Sequence, residues 1–277
     1  MTMNVQHIAA FSDGLKGGNP AGVVICDQMP STAEMQAVAA KVGYSETVFA
    51  EPVKAGWRVR YFSPTTEVDF CGHATIALGA ALARYKGEGT FALQLNNAQI
   101  TVDGYMNGLV AGAAFQSPST RSRSAPAAMI DEALDLFGLC PADLDPRIPP
   151  AVAHGGGDHL VLTLNDRKML QQLQYDFSRG QALAAREGFV TFNLVYAETA
   201  QLFHVRNPFP LGGVYEDPAT GAAAAALAGY LRDLDWPHQG EIFIHQGDDM
   251  GIPSRLRAEI TYDPGASIRV SGTARLI

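Results

Sequence analysis

Two stretches of this chain suit a helix yet carry no charged residue: His73–Ala83 (HATIALGAALA) and Thr220–Leu231 (TGAAAAALAGYL). A helix that is apolar all round has no face that gains from water, so each must run through the interior of a lobe. Both are rich in Ala and Gly, and their thin bodies allow strands to wrap closely around them. The flanking residues supply those strands. In the first half, strand patterns fall near 4–10, 21–26, 46–51 and 57–63, with three more across 89–115. A helix near 31–43 is opened by the capping box Ser31-x-x-Glu34 and closed by Gly43, and the apolar helix lies near 73–85. The second half repeats the order: strands near 151–154 and 159–164, helical patterns near 166–173 and 178–187, strands near 189–197 and 201–206, the apolar helix near 219–232, and three strands across 241–273. The predicted fold is α+β, two pseudo-symmetric lobes, each a mainly antiparallel barrel-like sheet around a central buried helix. The first lobe is set at 1–117, completed by a C-terminal strand at about 265–277, and the second at 129–264. The polar, proline-flanked run that follows Gln116 reads as a linker, 118–128.

Composition narrows the partners. A net charge of −8, with scattered Lys and Arg, leaves no electrostatic footprint for nucleic acid or an anionic membrane. The longest helix-compatible charge-free stretch, Pro218–Leu231, falls short of the roughly 20 apolar residues that a spanning helix needs. Three cysteines, Cys26, Cys71 and Cys140, form no disulfide framework and fit a reducing compartment. The opening MTMNVQHIAAFSDG has neither a basic n-region nor an apolar h-region, so no secretory signal is read and a cytoplasmic location is expected. A small molecule is the expected partner.

Each apolar helix begins at a glycine-containing turn, Cys71-Gly72-His73-Ala74-Thr75 and Asp217-Pro218-Ala219-Thr220-Gly221. The first turn of a helix offers unpaired N–H groups and the positive end of the dipole, worth up to about 2 kcal/mol toward an anion in a partly buried geometry. If the two starts face each other, they make a carboxylate cleft. An ionisable group beside a carboxylate held in this way is what proton abstraction and return require. The candidates near these turns are Glu46, Cys71, His73 and Asp217.

Four blocks, GNPAGVVI at 18–25, SETVF at 45–49, RYFSPTTEVDFCGHATIALGAAL at 60–82 and EDPATGAA at 216–223, resemble the PhzF-like phenazine-biosynthesis isomerase family and stand in its order. The stretch 116–200 carries little of that pattern. The resemblance implies the diaminopimelate-epimerase fold, a homodimer, and no metal or organic cofactor. It implies that Glu46 is the acid/base that takes a proton from one carbon of a dihydroaromatic amino acid and returns it to another. It makes His73 and Asp217 further catalytic candidates, and Asn19, Gly72, Ala74, Thr220, Gly221 and Ala222 substrate-binding ones. A glutamate in that role is expected to be shielded from water. Ala222 departs from the pattern, since the family commonly has Ser there. A missing hydroxyl at an anion site costs on the order of 1.5–3 kcal/mol, which argues for a different substrate of the same reaction type.

Each candidate also has a plainer reading. Glu46 alone could be a solvated strand residue, and His73 could only hydrogen-bond the helix start. Asp217 directly before Pro218 fits an N-cap followed by proline at the first helical position. Cys71 reads as a small buried residue, because a two-base racemase on this fold needs a second thiol where this chain has Pro218. His154-Gly155-Gly156-Gly157-Asp158-His159 lacks the ending of a phosphate loop and reads as a turn between strands. His204, His238 and His245 show no partner at ligand spacing and read as structural. Two other functions stay open, a cysteine-assisted amino or hydroxy acid racemase or epimerase, and a non-catalytic carboxylate-binding protein.

Overall fold

The computed structural model describes residues 4–277, which form two compact units, one running to Gln116 and taking back Ser271–Ile277, the other spanning Ser117–Val270. The first contains β1 (Gln6–Ala10), β2 (Asn19–Ile25), α1 (Thr32–Val42), β3 (Glu46–Val53), β4 (Gly56–Phe62), β5 (Glu67–Val68), α2 (Gly72–Lys86), β6 (Gly89–Gln94), β7 (Gln99–Asn107) and β8 (Val110–Gln116). The second contains β9 (Arg121–Ser124), α3 (Ala127–Phe137), β10 (Ala151–His154), β11 (Asp158–Leu164), α4 (Arg167–Gln172), α5 (Phe177–Glu187), β12 (Thr191–Ala197), β13 (Leu202–Phe209), β14 (Val214–Asp217), α6 (Gly221–Asp233), β15 (Glu241–Gln246) and β16 (Ser254–Glu259). The last strand is β17 (Arg269–Leu276).

In the first unit the pairing runs β17–β1–β2–β3–β4–β6–β7–β8 and returns to β17, a closed barrel. Two neighbouring pairs are parallel, β2 with β3 and β4 with β6; the rest are antiparallel. Parallel neighbours need a crossover, and α1 and α2 provide them. α1 packs Met35 and Ala39 against Val24, Phe49 and Phe62, and it carries the predicted caps: Ser31 and Glu34 bond reciprocally, and Gly43 closes the helix at φ 74°.

Every residue of α2 from His73 to Ala83 is buried. The strands come close enough that side-chain volume is excluded at the contact. A Cβ added at Gly79 would lie 2.6 Å from Val102 Cγ2, and one at Gly104 of β7 would lie 2.5 Å from the Gly79 carbonyl. The glycine there sets how tightly the barrel can close on the helix.

The second unit uses the same order. β11 and β12 are parallel and joined through α4 and α5; β13 and β15 are parallel and joined through α6. α6 is buried along nearly its whole length. The His154–His159 motif is the hairpin turn between β10 and β11. A Cβ at Gly155 would stand 2.5 Å from the Ala226 amide, so only glycine lets this turn lie on the α6 backbone.

Three sequence expectations need correction. The run read as a linker, 118–128, contains β9, which pairs antiparallel with β10 in the register Ser124 to Ala151, and the first residues of α3. Its polarity reflects a largely exposed strand, not an unpaired one. α3 itself was not foreseen; it packs Met129, Ala133, Leu136 and Phe137 onto the outer core formed by α5, β11 and β12. Finally, α6 starts at Gly221 with Thr220 as N-cap, while Asp217 ends β14 and Pro218 lies outside the helix. Among the described residues no helix is long and apolar enough to cross a membrane.

Candidate active site

In the first unit the parallel β2/β3 register places Glu46, the first residue of β3, beside Ala21, while the chain enters α2 through Cys71. Three ionisable groups meet there. The Cys71 thiol donates to Glu46 Oε2 at 3.4 Å, and His73 Nε2 lies 3.4 Å from the same oxygen. Cys71 Sγ is also 3.3 Å from His73 Nδ1, and Ser45 Oγ is 3.4 Å from His73 Nε2. The Glu46 side chain is 17% exposed and that of His73 7%, so the glutamate is largely enclosed but still reached by solvent.

The cluster rests on a second layer. Thr75 donates back to the Cys71 carbonyl at 2.7 Å, and the Tyr61 hydroxyl sits 2.8 Å from Thr75 Oγ1. Burial pushes the Tyr61 phenol well above its ordinary range, so it stays uncharged beneath the site. Asn19 starts β2, almost fully buried opposite Ala10. Gly72 and Ala74 lie in the first turn of α2, which holds no acidic residue and takes no cap from the Cys71 side chain. That leaves the positive helix end to an incoming anion.

The turn that opens α6 is built differently. The Thr220 hydroxyl donates to Asp217 Oδ2 at 2.5 Å, so Asp217 is tied to the helix start without capping it. Gln246, at the end of β15 and 1% exposed, clamps the turn. Its Oε1 accepts the Thr220 amide at 3.1 Å, and its Nε2 donates to the Asp217 carbonyl at 2.7 Å and to Thr220 Oγ1 at 3.0 Å. Beside Asp217, the buried Glu216 carboxylate accepts from Arg206, Nε at 3.0 Å and Nη2 at 2.6 Å, and the same guanidinium donates to the Leu170 and Leu173 carbonyls. Gly221 and the partly buried Ala222 follow in the first turn of α6, again without an acidic residue.

The structure thus gathers Glu46, His73, Gly72 and Ala74 in one unit, and Asp217, Thr220, Gly221 and Ala222 in the other. Sequence reasoning missed two contributors. Ser45 was inside a recognised block but was given no role. Gln246 had a readable signal: Ile242, Ile244 and Gln246 share the buried face of β15, and an inward amide needs partners. Cys71, read as a small buried residue, is buried and also touches both other ionisable groups. The Glu46, Cys71 and His73 donor atoms all lie within 4.8 Å of one another, a set able to hold a divalent ion if the thiol were deprotonated.

Comparison with known proteins bears on the family and the fold. The family model described as "Phenazine biosynthesis-like protein" matches residues 8–277. A protein of Mesorhizobium japonicum named an uncharacterized isomerase is 33% identical over 99% of this chain and 96% of its own length. Another so named, from Deinococcus radiodurans, is 33% identical over 92% of this chain and 85% of its own. The fold matches that of a Bacillus anthracis phenazine biosynthesis protein of the PhzF family at a TM-score of 0.88, 22% identity, covering 100% of this chain and 98% of that one. A family match over nearly the whole chain, joined to a barrel threaded by a buried helix, shows that this chain belongs to the phenazine biosynthesis-like protein family and is an enzyme of its isomerase class.

Proposed function

We infer that the protein isomerises a small carboxylic acid, of the dihydroaromatic amino acid type, by moving a proton between two of its carbons on Glu46. The supporting observation is the meeting of an enclosed carboxylate with a thiol and an imidazole at the start of a fully buried helix. The substrate carboxylate accepts hydrogen bonds from the first-turn amides around Gly72, His73 and Ala74, which lowers the energy of the carbanion as charge develops. Glu46 takes the C–H proton and delivers it to the second carbon, so nothing is oxidised and no group leaves. His73, held by Ser45 and Cys71, orients the carboxylate. Asp217, Thr220, Gly221, Ala222 and Asn19 keep the binding roles that the resemblance implies. No metal or organic cofactor enters this reading. Ala222 lacks the hydroxyl common in the family, which favours an acid other than the phenazine-pathway one. Three cysteines with no disulfide framework fit a cytoplasmic setting, and the resemblance supports a homodimer.

The test is Glu46→Gln, which keeps shape and removes the proton carrier. Solvent-deuterium incorporation into dihydroaromatic acids should fall by about 10²–10⁴-fold, the usual worth of a general acid/base. Exchange within a few-fold of the wild type would end the assignment.

The contact between Cys71 Sγ and Glu46 Oε2 favours one second reading, a cysteine-assisted racemase or epimerase in which the thiol is the second proton carrier. Cys71→Ala separates the two: complete loss of turnover with Glu46 intact selects the cysteine mechanism, and retained turnover selects the first.

A further inference from the structure

β13 and β15 run parallel with His204 beside His245, and the 3-10 turn after β15 begins at Asp248. Their donor atoms all lie within 4.8 Å of one another. In the sequence the two histidines stand far apart, and reading them as lacking a partner is corrected here by the strand pairing. The rings meet edge-on, with centroids 5.4 Å apart and an interplanar angle of 84°.

The state of His204 gives the cluster its direction. Its Nε2–H donates to the Glu198 carboxylate at 2.5 Å, and a carboxylate can only accept, so the neutral ring carries its lone pair on Nδ1. That Nδ1 is buried and has no hydrogen-bond partner. A histidine held at one nitrogen by a carboxylate, with its other nitrogen buried and bare, in a cluster with a second histidine and an aspartate, is the arrangement of a metal ligand with its orienting partner. Asp248 receives Arg255 at 2.8 and 2.9 Å, one contact per oxygen, and each oxygen keeps a lone pair. Two carboxylates against one guanidinium leave the cluster net negative, which suits a cation.

We propose that His204 Nδ1, His245 and Asp248 form a binding site for a zinc-class divalent ion, with Glu198 orienting His204. Two imidazoles and one carboxylate are borderline ligands of the kind that zinc takes, and they leave one tetrahedral position for water. Bonds of about 2.0–2.1 Å set ligand atoms roughly 3.3 Å apart, so ion binding draws the Asp248 turn toward β13 by side-chain rotation. Gln246, the clamp of the Asp217–Thr220 turn, stands two residues before Asp248. The ion therefore secures the loop behind that clamp and takes no part in proton transfer.

The test uses the full chain without an affinity tag, stripped by chelator and titrated with Zn²⁺ by calorimetry and with Co²⁺ by visible absorption. One ion per chain is expected, with the ligand-field bands of a tetrahedral nitrogen and oxygen site and no sulfur charge-transfer band. His204→Gln and Asp248→Asn should abolish stoichiometric binding. Glu198→Gln should weaken it by about 10–100-fold, the usual cost of losing an orienting partner. Cys71→Ala should leave it unchanged, since that thiol belongs to the other donor cluster. Unchanged circular dichroism of the variants rules out misfolding as the cause of loss. The proposal is overturned by absence of stoichiometric binding in the wild type. It is equally overturned if binding survives His204→Gln and Asp248→Asn, or is lost with Cys71→Ala.

Discussion

Gln246→Met is the substitution that most directly tests how the second helix start is held. Met has nearly the volume of Gln and no amide, so it removes the contacts at 3.1, 2.7 and 3.0 Å while leaving β15 filled. A net hydrogen bond is worth about 0.5–1.5 kcal/mol, and three sum to roughly 1.5–4.5 kcal/mol. Thr220 and Asp217 are only partly buried, so water re-satisfies some of what the amide gave up, and about 2 kcal/mol is the expected loss. That corresponds to about 4–8 °C in the melting of the second unit. The assay has a natural reporter. Trp236 lies in the second unit, its Nε1 donating to the Ala200 carbonyl, and Trp57 lies in the first, so fluorescence in a Trp57→Phe background follows the second unit alone. Hydrogen exchange gives a local reading: the Thr220 amide should exchange roughly 30-fold faster, since about 1.4 kcal/mol is a factor of ten. Gln246→Glu keeps an acceptor for that amide but sets a buried charge against the Asp217 carbonyl, so it should melt below Gln246→Met. If Gln246→Met melts with the wild type and Thr220 exchange is unmoved, the clamp holds nothing and the account of this turn is wrong.

Two further predictions follow from buried polar groups. Arg206→Met strands the Glu216 carboxylate, and denaturant titration should show a loss of about 3–5 kcal/mol, partly recovered by adding Glu216→Leu; a single variant within 1 kcal/mol of wild type would be incompatible with a buried pair. His159 is fully buried, and burial lowers its pKa from 6.5 to about 3. The unfolded chain therefore binds a proton below pH 6.5 that the folded chain refuses, so this contribution is complete above pH 6.5 and drains away as pH falls toward 3. Urea midpoints for His159→Gln should fall less steeply over that window than those of the wild type, and parallel curves would refute the assignment.

What could be read from residues alone was whatever local chemistry decides. The charge-free runs at His73–Ala83 and Thr220–Leu231 had to be buried wherever they went, and the strand patterns flanking each of them make the wrapping a sheet. Ser31, Glu34 and Gly43 form their caps within a few residues and were legible for the same reason. Where the reading failed, the deciding partner lay far along the chain. The strand β9 is polar and short, and only its pairing with β10 makes it a strand. His204 and His245 become neighbours through a parallel register that no spacing rule contains.

The start of α6 shows the competition most plainly. Asp217-Pro218 satisfies every local rule for a cap and a first helical residue. Yet the Gln246 amide, 26 positions past Thr220, takes both the Thr220 N–H and the Asp217 carbonyl. With those two groups bonded to β15, the Asp217–Thr220 segment gains more by staying extended than by winding into the helix, and Thr220 keeps φ −118° and ψ 92°. The helix then begins at Gly221, and Asp217 is left at the end of β14 with its carboxylate on the Thr220 hydroxyl. A residue that local rules assign to capping is thereby left at a strand end, joined to the helix start only through that hydroxyl, because a partner far along the chain took the groups that capping would have used.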